Sequence, residues 1–283
     1  MKHKIFVLWL AAIAITLTAA IYQRISGPFN PQHITVRTND GSAYSFKLPR
    51  SHGGIKDARI EIPLSDTSFK GIVYYKRYPV REPWMEIPMI RDKDCLVAFL
   101  PHQPPAGKLE YRLLLSKNGK EIRVPERNPV IMRFRGDVPA PIIIPHALLM
   151  FIAMLLANVA ALMALTGNSR FRIYTFLTTL IMLVGGMILG PIVQKYAFGQ
   201  FWTGFPFGFD LTDNKTLIAF IFWIVATGGN LKKGKPWLTI LAAAMTLIVF
   251  SIPHSAKGSE LDPETGKVKT GMMQLPPQEI GLT

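Results

Sequence analysis

Long apolar runs constrain the fold of this chain more than any other feature. Runs of about 17 to 24 apolar residues recur along the sequence, and this length crosses a hydrocarbon core about 30 Å thick. We therefore predict an α-helical membrane protein with about five transmembrane helices. The predicted spans are Ile5–Ile21, Ile142–Leu165, Ile173–Leu189, Thr216–Leu231 and Trp237–Ile252.

A region of alternating polar and apolar residues, 27–140, separates the first predicted span from the second. About seven short runs in it have the period of two that is typical of half-buried strands. Two segments, Asn39-Asp-Gly41 and Lys117-Asn-Gly119, favour hairpin turns because Asn and Gly tolerate positive φ. We predict an inserted all-β sandwich domain of immunoglobulin or fibronectin type. The runs are 34–37, 44–48, 58–62, 71–75, 96–100, 108–115 and 130–134.

Short basic segments predict the orientation, because cytoplasmic loops carry an excess of Lys and Arg. With five spans, all three basic segments fall on the cytoplasmic side of a bacterial inner membrane. The β domain, an aromatic loop at 194–216 and a polar tail at 255–283 then lie on the periplasmic side. The basic segments are Lys2 and Lys4, then Arg170 and Arg172, and finally Lys232, Lys233 and Lys235.

The two membrane regions differ in their predicted roles. Residues 1–24 are predicted to be an uncleaved transmembrane signal anchor, and a cleaved signal peptide is the alternative, since both have a basic start and a short apolar run. Residues 141–254 are predicted to be a four-helix transmembrane domain. The β domain is expected to remain outside despite its own basic residues, because long domains are translocated largely regardless of charge.

The composition narrows the class of partner. A formal net charge of +14 is compatible with nucleic acid, but no nucleic-acid motif accompanies it, so we assign much of the charge to topology and to anionic lipid headgroups. The lipid bilayer is the first expected partner. The single cysteine, Cys95, excludes an intramolecular disulfide and a Cys-x-x-Cys site for covalent heme attachment within this chain.

The segment from Tyr196 to Thr216 combines many aromatic rings with glycines between two predicted spans. Two Ile-Pro-His triplets, which end at His146 and His254, are predicted to flank it on the outer side. Neutral imidazoles at a membrane boundary can ligate iron, so this arrangement predicts a heme held between two histidines over a shelf of rings. The simpler alternatives are aromatic anchoring at the membrane interface and ordinary helix ends at both histidines.

Acidic residues at the end of this segment have two interpretations. Asp210, Asp213 and Asn214 present oxygens at a spacing that suits calcium. Capping of the next helix by Asp210 or Asp213 is favoured over calcium binding, because an Asp side chain accepts from the first free backbone N–H groups of a helix.

The order Ala197-Phe-Gly-Gln-Phe-Trp202, followed by Phe209-Asp-Leu-Thr-Asp-Asn-Lys-Thr-Leu-Ile-Ala-Phe220, resembles the tryptophan-rich "WWD" loop of heme-handling proteins in cytochrome c maturation. Phe198 and Phe209 stand where that family prefers Trp, and the family has no β domain at this place. The resemblance implies that the two histidines are axial ligands and that Trp202 and Asp210 position heme. The predicted cofactor-binding residues are His146, His254, Trp202, Phe198, Phe201, Phe209 and Asp210, and the predicted metal ligands are His146 and His254.

Two hypotheses about function follow. The first is an inner-membrane protein that binds or handles heme at its outer face, in cytochrome c maturation or membrane electron transfer, with a periplasmic cytochrome or another membrane subunit as partner. The second is a non-catalytic membrane scaffold or accessory subunit whose β-sandwich binds a periplasmic partner. The sequence has no phosphate loop, dinucleotide fingerprint or nucleophile elbow, so an enzyme with its own reaction has the least support.

Overall fold

The computed structural model describes residues 2–37, 41–253, 260–262, 265–266 and 268–269. The described residues form two compact units. Those within 1–28 and 138–259 form a helical unit, and those within 29–137 and 260–283 form a β unit. The prediction of a mixed fold, with apolar helices and an inserted β region, is confirmed.

Among the described residues, three helices of the helical unit are long and apolar enough to cross a membrane: His3–Ile25, Ala140–Leu165 and Phe171–Phe198. The third of these consists of two α-helical segments joined by a π-helical segment. The last helix is apolar but shorter, at 16 residues. The helices are α1 (Lys2–Ile25), α2 (Ala140–Leu165), α3 (Phe171–Met182), the π segment (Leu183–Leu189), α4 (Gly190–Phe198), α5 (Leu211–Asn230) and α6 (Pro236–Ser251).

Small residues allow α2, α5 and α6 to pack closely, as they do where helix backbones approach in membranes. Ala157 of α2, Ala219 of α5 and Ala242 of α6 are almost completely buried in one shared cluster. The large ring of Trp223 fills the space between these small side chains, and its Nε1 donates to Thr246 Oγ1 at 2.8 Å. The bundle is therefore held by close packing together with a buried hydrogen bond between α5 and α6.

The N-terminal helix α1 is part of the same bundle. Ala12 and Thr16 are completely buried, and Asn158 Nδ2 of α2 donates to Thr16 Oγ1 at 2.9 Å. The ring of Trp9 packs edge-on against Tyr174 of α3, with centroids 5.8 Å apart. These contacts give α1 a packing role as well as a length suited to a membrane anchor.

The aromatic loop is shorter than the predicted 194–216, because helix continues past Pro191 to Phe198 and α5 begins at Leu211, five residues before the predicted span start at Thr216. Pro191 is near the start of α4, where its missing N–H is tolerated, directly after the π segment. Gly199 then ends α4 with φ of 83° and donates its N–H to Lys195 O at 2.9 Å, as a left-handed helix C-cap does. The irregular loop therefore comprises residues 199–210.

Strands account for most of the β unit, and each of the seven predicted runs coincides with one of them. Four further short strands complete the sheets, and two more pair near the C-terminus. The strands are β1 (Gln32–Arg37), β2 (Ala43–Leu48), β3 (Ser51–Gly53), β4 (Ala58–Pro63), β5 (Phe69–Arg77), β6 (Met85–Pro88), β7 (Ile90–Asp92), β8 (Cys95–Leu100), β9 (Lys108–Lys117), β10 (Lys120–Val124), β11 (Val130–Arg135), β12 (Glu260–Leu261) and β13 (Val268–Lys269).

The largest sheet has the order β3-β11-β9-β5-β6, with β10 also paired to β9. Strands β4, β8 and β7 form a three-stranded sheet, and β1 pairs with β2 in a hairpin. The β3–β11 pair is parallel, and the other pairs are antiparallel. The sheets share one core, in which Ile60 of β4, Ala98 of β8 and Leu113 of β9 are buried.

Turn chemistry explains part of this topology. The turn between β9 and β10 contains Asn118 at φ of 52° and Gly119 at φ of 79°, so the predicted hairpin is present. The other predicted turn, at Asn39-Asp-Gly41, lies mostly outside the described residues. Asn39 and Asp40 are not described, whereas the strands that flank them pair as a hairpin.

The predicted polar tail contributes to the β unit. Leu261 N–H donates to Ala106 O at 3.1 Å, and Glu260 forms an ion pair with Lys108 of β9. The described tail residues therefore pack with the β unit. The main segment of this unit runs from Phe29 to Asp137, whereas the predicted bounds are 27–140.

Candidate functional site

The helical unit contains a cavity of about 420 Å³. Small-molecule sites in proteins commonly have volumes of this order. Most of the wall is apolar, with a smaller group of polar side chains. The lining residues are Ala20, Gln23, Ile143, His146, Ala147, Met150, Phe151, Met154, Gly186, Gly190, Val193, Gln194, Ala197, Phe198, Trp202, Asp210, Thr212, Asp213, Thr216 and Phe250.

His146 is fixed in the wall by the π segment. Its Nδ1 lies 2.8 Å from the carbonyl oxygen of Gly185. A carbonyl oxygen only accepts hydrogen bonds, so Nδ1 must carry a proton, and in the neutral imidazole Nε2 then carries the lone pair. Among the described residues, Nε2 has no hydrogen-bond partner. The same orientation by a backbone carbonyl is usual for histidines that ligate metals.

Two glycines of the π segment make this arrangement possible. A Cβ on Gly185 would lie 2.8 Å from Leu149 Cβ, and a Cβ on Gly186 would lie 3.0 Å from Thr216 Cγ2. The π segment therefore packs against α2 on one side and α5 on the other. π-helical turns often occur at functional sites, because they shift backbone groups away from the regular helix positions.

A buried carboxylate, Asp213, holds the aromatic loop against the cavity. It is 5% exposed, and its Oδ2 accepts from Thr203 N at 2.6 Å, Thr203 Oγ1 at 3.1 Å and Gln194 Nε2 at 2.9 Å. Its Oδ1 has no hydrogen-bond partner in the described part of the chain. Three donors on one oxygen are typical of an ionised carboxylate, and they place Trp202 and Thr203 beside α4 and α5.

Neighbouring residues complete the junction between loop and helix. Asp210 Oδ1 accepts from Thr212 N at 2.8 Å, so the predicted capping of this helix is confirmed. Asn214 Oδ1 accepts from Phe205 N at 2.6 Å. A Cβ on Gly204 would lie 2.7 Å from Asp213 Cβ, so only glycine permits this close approach.

The predicted site residues separate into two groups. Four of them line the same cavity, although they come from α2, α4, the loop and the α5 cap: His146, Phe198, Trp202 and Asp210. Phe201 and Phe209 do not line it and are 56% and 76% exposed. His254 lies outside the described residues.

The loop exposes two further rings to its surroundings: Phe205 is 66% exposed and Phe207 is 79% exposed. Together with Phe201 and Phe209, they are the exposed phenylalanines of the loop. Trp202 differs from them, because it lines the cavity and its Nε1 donates to Phe205 O at 2.9 Å. In the loop, the ring of Trp202 therefore lines the cavity, whereas the four phenylalanine rings are exposed elsewhere on the surface.

The electrostatic character of the cavity is acidic. Asp210 and Asp213 lie in its wall, whereas no described lysine or arginine does. Lys215 is 2% exposed and does not line the cavity. Its Nζ donates to Ile252 O at 2.7 Å, at the C-terminal end of α6, where the helix dipole favours a cation.

Sequence reasoning missed several polar residues of the wall. Gln23 of α1 lines the cavity and donates to Phe250 O of α6 at 2.8 Å, and Gln194 of α4 contacts Asp213. Neither glutamine belongs to a motif, and their only signal is a polar side chain near the end of an apolar run. Within the described residues, no group of three or more His, Cys, Asp or Glu could hold a metal ion.

Comparison with known proteins identifies no family for this chain. No protein-family model matches the chain, and no curated protein matches it in sequence.

Proposed function

We propose that the helical unit binds a lipid-soluble, redox-active ligand in its cavity and that His146 is the principal polar contact. The observation that carries this proposal is the imidazole: Nδ1 is engaged by Gly185 O, which leaves the Nε2 lone pair for a ligand. The cavity volume and the apolar wall support it, since cofactor sites are mostly apolar with a few placed polar groups.

Heme is the first member of this ligand class, because the 196–220 segment resembles heme-handling proteins of cytochrome c maturation. His146 suits an axial ligand, since a neutral imidazole with an oriented Nδ1–H offers Nε2 to iron. The wall does not suit its two propionates, because Asp210 and Asp213 lie there and no described cation does. In this proposal His254 stays the second ligand.

We assign the protein to a bacterial inner membrane, with five spans, a cytoplasmic N-terminus and a periplasmic β unit. The two helices beyond the three long spans are α5, of 20 residues, and α6, of 16 residues. Their connection contains Lys232, Lys233 and Lys235, which supports a cytoplasmic side for this loop.

We propose an immunoglobulin-like sandwich for the β unit. In that fold the second strand pairs with the fifth, and β4 pairs with β8 in this way. The third strand of that fold pairs with the sixth, and β5 pairs with β9 in this way. Buried Tyr111 of β9 donates its hydroxyl to Pro49 O at 2.8 Å, which connects β9 with the segment between β2 and β3. The unit would dock a periplasmic partner such as a cytochrome.

A membrane scaffold or accessory subunit is the second candidate function. It is favoured by the exposed phenylalanines of the loop, because clustered exposed rings mark contacts with lipid or with another protein. In this alternative the β unit binds a periplasmic partner and the helices serve only as an anchor.

Purification from heme-replete membranes separates the two candidates. The absorption spectrum reports heme through its Soret band, and mass spectrometry of an organic extract reports other small ligands. Ligand binding predicts one bound molecule per chain in the wild type and its loss in His146→Phe. For heme, His146→Ala combined with His254→Ala would abolish the band. A ligand-free wild type that captures a stable partner would support the scaffold instead.

A further inference from the structure

We infer that the cavity selects an uncharged ligand that carries two hydroxyl donors on an apolar ring, namely a hydroquinone. The inference rests on the proposed ligand-binding function and names the chemical class of the ligand. It goes beyond the imidazole contact, because it uses a second polar atom of the same wall and the charge of that wall.

Two atoms of the wall are acceptors without a partner among the described residues. The first is His146 Nε2, since Nδ1 carries the proton that Gly185 O accepts. The second is Asp213 Oδ1, since all three donors to this 5% exposed residue contact Oδ2. Neither atom is among the completely buried ones, so both remain accessible to a ligand. A ligand that donates two hydrogen bonds can therefore satisfy both acceptors.

The charge of the wall disfavours anionic head groups. Asp210 and Asp213 line the cavity, and no described lysine or arginine does. The nearby buried ammonium of Lys215 donates to Ile252 O and attracts the carboxylate of Asp210, but it is not part of the wall, and it leaves Asp213 as an acidic group there. A phosphate or carboxylate ligand would therefore meet like charge in a poorly hydrated environment. An uncharged donor avoids both the repulsion and the desolvation of a charge.

The remaining wall suits an aromatic ring with an alkyl substituent. Phe198 and Trp202 supply rings for stacking. Aliphatic, thioether and aromatic side chains from several helices enclose the rest, and methionines adapt to irregular apolar shapes. These are Met150, Phe151, Met154, Val193 and Phe250. An isoprenoid hydroquinone combines such a ring with a tail that dissolves in the bilayer.

Calorimetric titration of the full-length protein in detergent micelles tests the inference. The probe is a benzohydroquinone with a ten-carbon tail, kept reduced under argon, and the matched control is its dimethyl ether, which cannot donate hydrogen bonds. We expect the hydroquinone to bind at least about tenfold more tightly than the ether, since two hydrogen bonds to acceptors of the wall together strengthen binding by about this factor.

Substitution of His146 and of Asp213 tests whether these two acceptors cause the preference for hydroquinone over its ether. We expect His146→Phe, which keeps a ring but removes the acceptor, to reduce the preference for the hydroquinone several-fold. Asp213→Asn is expected to reduce it as well. A thermal melt identifies any variant that fails to fold, and Phe209→Ala serves as a folded control because Phe209 does not line the cavity. Equal affinity for hydroquinone and ether would overturn the inference.

Titrations with two other ligands, an alkylammonium ion and heme, separate this inference from the function on which it rests. Preferential binding of a decyl-trimethylammonium ion would overturn the inference, because it would show selection of a cation. Binding of heme with a Soret shift, without binding of the hydroquinone, would overturn the inference and leave the proposed function intact. If neither the hydroquinone nor heme binds, and no ligand co-purifies, both proposals fail.

Discussion

The imidazole of His146 donates a hydrogen bond from Nδ1 to the carbonyl oxygen of Gly185, with 2.8 Å between the two atoms. The bond connects α2 with the π segment. It fixes both the tautomer and the ring orientation, so the Nε2 lone pair remains for a ligand. The π segment is thus a structural requirement of the candidate site, since it carries the accepting carbonyl.

The close approach at Gly185 predicts a large effect of a small substitution. In Gly185→Ala the new Cβ would lie 2.8 Å from Leu149 Cβ, which cannot move without the α2 backbone. We expect a loss of about 1–3 kcal/mol in the free energy of unfolding, as for overpacked cores. Equilibrium unfolding in mixed micelles measures it.

Gly228→Ala is the matched control, because a Cβ on Gly228 of α5 meets nothing within 4 Å. There we expect unchanged or increased stability, by up to about 1 kcal/mol, since Ala favours helix over Gly. Equal destabilisation by the two substitutions would contradict the packing described for the π segment.

Phe198 and Phe209 belong to one predicted site, but they lie in different environments in the structure. Phe198 lines the cavity, whereas Phe209 is 76% exposed and does not. We expect Phe198→Ala to weaken ligand binding about tenfold or more, because a large apolar contact is lost, and Phe209→Ala to leave it unchanged. Titration of both variants with the same probe decides this. Stronger loss in Phe209→Ala would place the ligand on the outer surface of the loop.

The hydrogen bond between Asn158 and Thr16 predicts energetic coupling between α1 and α2. Its length is 2.9 Å, and both side chains are buried. A double-mutant cycle with Asn158→Ala and Thr16→Ala is expected to give about 0.6 kcal/mol, and at most about 1.7 kcal/mol, as for buried hydrogen bonds between membrane helices.

Thr18 provides the control for this cycle. Its hydroxyl bonds to Ala14 O within its own helix and is exposed. The combination of Asn158→Ala with Thr18→Ala should therefore show no coupling. Coupling of equal size in both cycles would mean that α1 responds as a whole and that the Asn158–Thr16 bond is not specific.

The β unit contains a carboxyl group with a strongly lowered pKa. Hydrogen bonds from the hydroxyl and backbone N–H of Ser68, followed by the ammonium of Lys117, lower the pKa of Asp66 from 3.8 to about 2. A carboxyl whose pKa is lower in the folded state stabilises the fold above its unfolded pKa. This contribution should be complete above pH 4, decline between pH 4 and 2, and vanish below.

Asp66→Asn tests this dependence. We expect the variant to melt at a lower temperature than the wild type between pH 5 and 7, and the difference to disappear as the pH falls towards 2. Because the side chain is 34% exposed and solvent screens its charge, the expected difference is small. A difference in melting temperature that stays constant from pH 7 to pH 2 would show that the charge of Asp66 has no part in it.

Much of the fold follows from local patterns that the sequence displays directly. Period-two alternation predicts the main strands because each has one face in the shared core, as for Leu113 of β9. Asn118 and Gly119 predict their hairpin because only few residues adopt positive φ without strain. The continuation of helix through Pro191 is not predictable in this way, since it depends on the preceding π segment.

The candidate site is only partly predictable for a similar reason. His146 stands out because an imidazole is uncommon within an apolar run, and Trp202 stands out because it belongs to the aromatic segment 196–216. Gln23 and Gln194 do not stand out, since their roles arise from packing of α1 and α4 against residues distant in sequence. The difference between Phe198 and Phe209 has no sequence signal of its own, because it arises from the end of α4 at Phe198, which places Phe209 in the irregular loop.

Native mass spectrometry of the purified full-length chain tests the central claim most directly, since it counts bound small molecules. We predict one bound ligand per chain in the wild type and in Phe209→Ala, and none in His146→Phe that melts at the wild-type temperature. A bound ligand that persists in a folded His146→Phe variant, or a wild type that carries none from native membranes, would contradict the assignment of this cavity as the ligand site.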